Sequence, residues 1–249
     1  MLESKGRPTG HSLPIPWVRL RSTASGHQLY KRMLGEVDPK ARPGDIVAVY
    51  DRSNAPYGVA LYNPRSLIAL RLLTRGIGAF DADAFFNARI ATAVGFRRGV
   101  LNLDAQSDAY RVVHDNGDGL PGLVIDRYGS VLVLQILCAG IEKRLDIIAE
   151  VLNDLLKPTG IYLKNDHRTR ALEGLPLECR TFSGTVPEKV AIMEGGLRFC
   201  ADIGEGQKTG HYFDQRDNRA FLRPYFKGRN VLDLYCYTGG FAINAAKAG

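Results

Sequence analysis

Two stretches of this 249-residue chain place glycines and polar side chains at spacings suited to gripping a small polar ligand. The first is Val231-Leu-Asp-Leu-Tyr-Cys-Tyr-Thr-Gly-Gly-Phe241. Where a strand turns into a helix, glycines let a ligand come close to the backbone, and the first N–H groups of the helix lack partners of their own. Asp233, at the strand end, would orient the ligand or the loop. Taken alone, the segment also reads as an ordinary strand-to-helix turn with glycines for packing. The second stretch, Ile203-Gly-Glu-Gly-Gln-Lys-Thr-Gly-His-Tyr-Phe-Asp-Gln-Arg-Asp-Asn-Arg219, is polar and glycine-rich and lies immediately upstream. Such a loop beside a glycine turn would wall a pocket, the alternative being a solvated loop and a capped helix. Within these two stretches neither GxxxxGK[ST] nor GxGxxG occurs, so a phosphate loop is excluded there and a nicotinamide oxidoreductase has only a strand-turn-helix unit in its favour.

The other reactive side chains suggest no separate chemistry. Cys138, Cys179, Cys200 and Cys236 lie far apart with no CxxC spacing, which argues against a zinc site or a disulfide framework and for buried reduced thiols. His114, His167 and His211 have no motif partner and are expected to be structural or solvent-facing. No metal site is expected.

The elements that must position the two stretches fall into regions of different period. Residues 45–50, 57–62 and 67–73 are β-branched and aromatic runs broken by turn residues, which predicts a small β-rich unit. Residues 81–96 carry Phe85, Ile90, Ala93 and Val94 at a mixed helical period, predicting a helical linker over 76–104. From 105 to 185 the predicted order is strand (109–113), strand (122–126), strand (131–137), amphipathic helix (141–156) and strand (160–164), an α+β unit. A hairpin is expected over 189–194 and 197–202, with Gly195-Gly196 as its two-residue turn. Residues 214–225 read as a helix with Asp214 and Asp217 near its positive end. A buried strand is expected over 230–235 and a helix from 239 to 248. This is the first unit of a doubly wound sheet.

Hydrophobic content of 45% and charged content of 24% are those of soluble globular proteins, and no apolar run approaches a membrane span. Residues 1–16 lack an apolar core and read as a flexible arm rather than a secretory signal, so a cytoplasmic location is the expectation. The net charge of +7 favours an anionic partner, with a well-solvated basic surface as the alternative.

Together, EGQKTGHYFDQRDNR, LDLYCYTGGFAINAA and Gly117-Asp-Gly-Leu-Pro-Gly-Leu-Val-Ile-Asp-Arg-Tyr-Gly129 closely resemble the class I S-adenosylmethionine (SAM)-dependent large-subunit rRNA methyltransferases that make 5-methylcytosine. The resemblance covers roughly residues 42–249. It implies a mixed α/β and α+β multidomain fold: a PUA-like β domain (17–75, after the arm at 1–16), a helical linker (76–104), a central α+β domain (105–185), and the start of a Rossmann-like methyltransferase domain (186–249). Ile15-Pro-Trp-Val18 stands where the family often has His-Pro-Trp-Val. The implied SAM contacts are Asp233, Cys236, Thr238, Gly239, Gly240 and Phe241 of the turn, joined by Lys208, Thr209, Gly210, Phe213 and Gln215 of the upstream loop. Asp214 and Arg216 would fix that loop. Lys31, Arg32, Lys40, Arg42 and Arg65 are candidates for contacts to RNA phosphates. Asp118, Pro121, Asp126 and Arg127 are read as turn and domain-contact residues.

Methylating C5 of cytosine requires a thiolate to add to the neighbouring ring carbon. In the family that cysteine follows a late DPP-type motif, and these 249 residues contain neither. Cys236 belongs to the cofactor turn. No catalytic residue is therefore assigned, and the expectation is a catalytically incomplete fragment; the alternative is a non-catalytic RNA-binding protein.

Overall fold

The computed structural model describes residues 14–22 and 25–249. Its first sheet has six strands: β1 (Trp17–Leu20), β2 (Gln28–Tyr30), β3 (Leu34–Val37), β4 (Ile46–Tyr50), β5 (Pro56–Tyr62) and β6 (Ile68–Arg75). They lie in the order β2-β6-β5-β4-β1-β3, with β1 parallel to β4 and the other neighbours antiparallel. Strand alternation sends Val18, Leu20, Val47, Val49 and Leu70 into one core, while Ile46, Leu61 and Leu73 face another. The expected arm is corrected at its end. Ala48 N–H donates to Pro16 O at 2.9 Å, and Ile15 packs beside Trp17, so these two residues are held against the first sheet just before β1. The rest of the arm, residues 1–13, lies outside the described residues.

The second sheet has five strands, β7 (Ala109–His114), β8 (Leu123–Tyr128), β9 (Val131–Ile136), β10 (Gly160–Asn165) and β11 (Glu178–Gly184), in the order β11-β10-β9-β8-β7. Helix α1 (Ala82–Gly95) precedes β7 in sequence, α2 (Ala139–Glu142) and α3 (Leu145–Leu156) lie between β9 and β10, and a short α4 (Thr169–Leu172) precedes β11. β10 runs parallel to β9, as the α2–α3 crossover requires. Leu132, Leu134, Ile161 and Leu163 point toward α1 and α3; Val131, Val133 and Tyr162 point the other way. The helix expected over 141–156 is interrupted at Lys143 and Arg144. The helix expected within the linker does form, with Asp81 capping the Asp83 and Ala84 N–H groups, but it does not act as a linker. Phe86, Ile90, Ala93 and Val94 are buried in the same core as β9 and β10, and Phe85 is only partly buried. β11 was not expected, since its exposed polar positions belong to a sheet edge.

The two sheets share a hydrophobic core containing Ile46, Val59, Leu61 and Leu73 of the first and Ile141, Leu134 and Leu123 of the second unit. Gly140 permits the close approach, because a Cβ there would sit 2.6 Å from Leu61 Cβ. A buried polar tie crosses the same junction. Glu173 accepts from Arg71 at 3.0 Å, from Asn63 Nδ2 at 2.7 Å and from Ala139 N–H at 3.3 Å.

Strands β12 (Lys189–Glu194) and β13 (Leu197–Asp202) form the expected hairpin, with positive φ at both Gly195 and Gly196, as its two-residue turn requires. Ile192, Phe199 and Ala201 cover the far face of the second sheet. Past a loop come α5 (Arg216–Leu222), a 3-10 turn at Arg223–Phe226 and α6 (Gly240–Ala248). The strand expected over 230–235 does not form. Leu232 and Leu234 are 81% and 70% exposed, and among the described residues no strand lies alongside to complete their hydrogen bonds. The thiol expectation is also corrected: Cys138 is buried, but Cys179, Cys200 and Cys236 are exposed. Among the described residues no helix is long and apolar enough to cross a membrane.

Candidate functional site

The 203–239 segment is held against the hairpin by a buried ionic cluster. Glu194, at the end of β12, lies on the inward face with Ile192 and accepts from Arg219 Nε and NH2 of α5, both at 2.7 Å. His211 Nε2 lies 3.4 Å from Glu194 Oε2 and 3.1 Å from Arg219 NH2. Burial pushes the Glu194 carboxyl up, but hydrogen bonds from His211 and Arg219 outweigh it and hold it below the usual glutamate value. Gly240 lets α6 approach this cluster, since a Cβ there would meet Arg219 Cδ at 3.0 Å. Asn244 completes the attachment, accepting from Arg223 Nε and NH2 at 2.9 and 2.7 Å.

Above the cluster opens a cavity of about 860 Å³. Gln215, Asp233, Cys236, Thr238, Gly240 and Phe241 of the expected set line it. Gly239 caps α6 with φ +74°, the conformation that glycine adopts without strain, and so presents the helix's free N–H groups. Asp233 Oδ2 accepts from Ala242 N–H at 3.0 Å, which fixes the irregular segment to the first turn of α6. Tyr237 joins the far wall: its hydroxyl accepts from Gln207 N–H at 3.0 Å and donates to Gly210 O at 3.3 Å. Its ring meets that of Tyr212 at 5.4 Å.

Four expected contacts lie elsewhere: Gly210 is buried and does not line the cavity, and the other three are turned toward other partners. Thr209 is fully buried, donating to Asp126 Oδ2 at 2.6 Å with Tyr128 Oη at 2.9 Å, so its hydroxyl anchors the loop to the second sheet. Phe213 packs on Tyr128 with ring centroids 5.1 Å apart. Lys208 turns from the cavity and pairs with both oxygens of Asp214 at 2.9 Å, which lowers the Asp214 carboxyl's pKa. His211, expected to be structural or solvent-facing, is 2% exposed and lines the cavity with Arg219. Tyr212, offered with Phe213 as a flat wall for the ligand, does line the cavity, whereas Glu194, Arg219 and Tyr237 were missed. An acidic residue on the inward face of a strand was the available signal for Glu194. His114 and His167 are exposed.

The Gly117–Gly129 stretch is held by ion pairs. Asp118 binds Arg97, Asp126 binds Arg111 through both oxygens at 2.8 and 2.9 Å, and Arg127 reaches Asp104 at 2.8 Å. Lys31, Arg32, Lys40, Arg42 and Arg65 are all exposed. Arg42 is engaged locally, donating to Pro39 O at 2.7 Å and Ala41 O at 3.2 Å.

Comparison with known proteins places these features. A family model described as S-adenosylmethionine-dependent methyltransferase matches residues 120–249, and a PUA-like domain model matches residues 21–75. A Pseudoalteromonas atlantica protein named ribosomal RNA large subunit methyltransferase I is 37% identical over 83% of this chain and 52% of its own length. The proteins of that name from Photobacterium profundum and Cronobacter sakazakii are 37% and 34% identical, over 98% and 99% of this chain and 59% of theirs. The chain thus spans little more than half the length of the curated relatives it matches. A solved Streptococcus mutans protein classed with the SAM-dependent methyltransferases covers 90% of this chain and 56% of its own at a TM-score of 0.71. A second solved structure, a methyltransferase complexed with SAH, has a TM-score of 0.72 over the same shares. At 22% identity these two show the shared fold, a PUA-like β domain followed by a Rossmann-like methyltransferase fold. With the family model covering residues 120–249, the chain belongs to the S-adenosylmethionine-dependent methyltransferases.

Proposed function

We propose that this chain supplies the RNA-recognising part and one wall of the cofactor site of an rRNA methyltransferase acting on C5 of cytosine in large-subunit rRNA. The observation that carries the reading is the cavity at the start of α6. Its volume of about 860 Å³ suits a ligand the size of SAM, and the Gly239 turn, the free helix N–H groups, Asp233 and three tyrosines supply hydrogen bonds, negative charge and aromatic faces. SAM, when bound, supplies an electrophilic methyl group on a positively charged sulfur. Asp233, Thr238, Gly240 and Phe241 would grip it from the α6 side, with Gln215 opposite. RNA as substrate rests on the net charge, the PUA-like match and the names of the relatives. In this reading Lys31, Arg32, Lys40 and Arg65 face phosphates. The domain limits 17–75, 105–185 and 186–249 are proposed with it, with α1 assigned to the central domain.

None of the four cysteines suits the addition to cytosine. Cys138 is buried, where desolvation raises its pKa to about 11; Cys179 and Cys200 lie on β11 and β13, and Cys236 sits in the cofactor turn. The 249 residues by themselves are therefore expected to bind without transferring methyl. Titration calorimetry with SAM, and label transfer from SAM to unmodified large-subunit rRNA, test this. Weak SAM binding with no label transfer is expected. Label transfer by the 249-residue chain at the rate of a full-length relative would refute the nucleophile argument, and absence of both SAM and RNA binding would refute the whole reading.

A further inference from the structure

A second cavity, of about 440 Å³, lies between the second sheet and the 208–216 loop and shares His211 and Asp214 with the cofactor cleft. Its wall carries four cations, Arg97, Arg111, Lys208 and Arg216, against one carboxylate, Asp214. The three arginines are anchored by carboxylates that do not line the cavity. Asp118 takes Arg97 NH2 at 2.9 Å, Asp126 takes Arg111 through both oxygens, and Asp217 takes Arg216 Nε at 2.9 Å. Guanidiniums fixed in this way lose little freedom on meeting a ligand, and planar forked donors match phosphate oxygens.

The remaining wall is apolar or aromatic. Phe213 is partly exposed, and Leu101 at the rim is 42% exposed, next to Phe96 at 44%. The backbone around the rim is irregular: a π-helical turn at Phe96–Val100 and positive φ at Asn102 and Lys208. Such departures are retained most often at functional sites. One polar atom is also left over. His211 Nδ1 is buried without a hydrogen-bond partner, in a residue that is 2% exposed and lines both cavities.

We propose that this second cavity seats one nucleotide of a single-stranded RNA segment, its phosphate on the arginine wall and its base against Phe213 and Leu101. The inference rests on the RNA reading above and deepens it, because the wall shared with the cofactor cleft brings the bound strand to the cofactor. Base stacking on an aromatic face with a cationic backbone track is the usual chemistry of single-strand binding. Asp214 is the one acidic group on the wall, so its removal strengthens binding where a misfolded variant could only weaken it.

The test is fluorescence anisotropy of a labelled single-stranded RNA oligonucleotide with the 249-residue chain at several salt concentrations. For single strands each phosphate contact contributes about 0.7 to the salt slope, which is about fivefold in affinity at 0.1 M salt. Arg216→Ala is expected to weaken binding about fivefold and flatten the slope by about 0.7, and Asp214→Asn to strengthen it by a similar factor. Arg52→Ala, on an exposed turn of the first sheet, is expected to match the wild type. Wild-type binding with Asp214→Asn and Arg216→Ala both unchanged would overturn this inference alone, as would an equal loss in Arg52→Ala. No binding by the wild type would overturn the RNA reading as well.

Discussion

Replacing Glu194 by leucine should destabilise the chain by removing the partner of a charge that water cannot reach. The side chains of Arg219 and Glu194 are 3% and 5% exposed, and the pair is closed by two hydrogen bonds of 2.7 Å. Without Glu194, the guanidinium keeps only Tyr212 O at 3.1 Å and His211 Nε2. Breaking a buried pair on one side costs about 3–5 kcal/mol, because the surviving charge stays desolvated. For a chain of this size that corresponds to a fall in Tm of about 10 °C. The double variant Glu194→Leu/Arg219→Met removes both charges and fills similar volume, so most of the loss should return. Urea unfolding followed by circular dichroism measures all three chains. A loss below about 1 kcal/mol in Glu194→Leu, or a double variant no more stable than the single, would refute the view that this cluster holds the cleft floor.

Three further outcomes are expected. Because the folded Glu194 carboxyl titrates below its usual value, its contribution is complete above about pH 4.5 and is lost as the pH falls through the lower folded value; Glu194→Gln should therefore show a shallower loss of stability than wild type across that acid range. Thr209→Val should lower stability by about 1–3 kcal/mol, since Asp126 and Tyr128 lose their shared partner, while SAM affinity measured by calorimetry stays within about twofold. An aromatic disulfide reagent should titrate three thiols in the native chain, Cys179, Cys200 and Cys236, and the fourth, Cys138, only after unfolding. A native count of four would contradict the burial of Cys138.

The sequence announced what depends on local period and turn chemistry. Val131–Ile136 and the Gly195-Gly196 hairpin follow from alternation and from positive φ at two adjacent glycines. What depends on partners was not legible. Residues 230–235 have the composition of a buried strand, yet a strand exists only beside another, and Leu232 and Leu234 stand in solvent. The turn residues 233–241, all but Gly239, do line the cavity because they are consecutive. Thr209 and Phe213 lie in the same polar loop, but contacts to Tyr128, 81 and 85 residues away in the chain, direct them inward. Glu194 and Arg219 were invisible for the same reason: their meaning lies in a pairing across 25 residues.

The tie between the first two sheets bears on modularity. The β-rich unit looks like a cassette that could be excised near Gly76 and attached to another protein. Excision would strip Ile46, Val59, Leu61 and Leu73 of their cover and leave the Arg71 guanidinium without Glu173. The acid that neutralises this arginine is encoded about a hundred residues later, in a turn after α4. The first unit can therefore be transplanted only together with the central sheet, and any evolutionary exchange of it would have had to carry its neighbour or rebuild the junction.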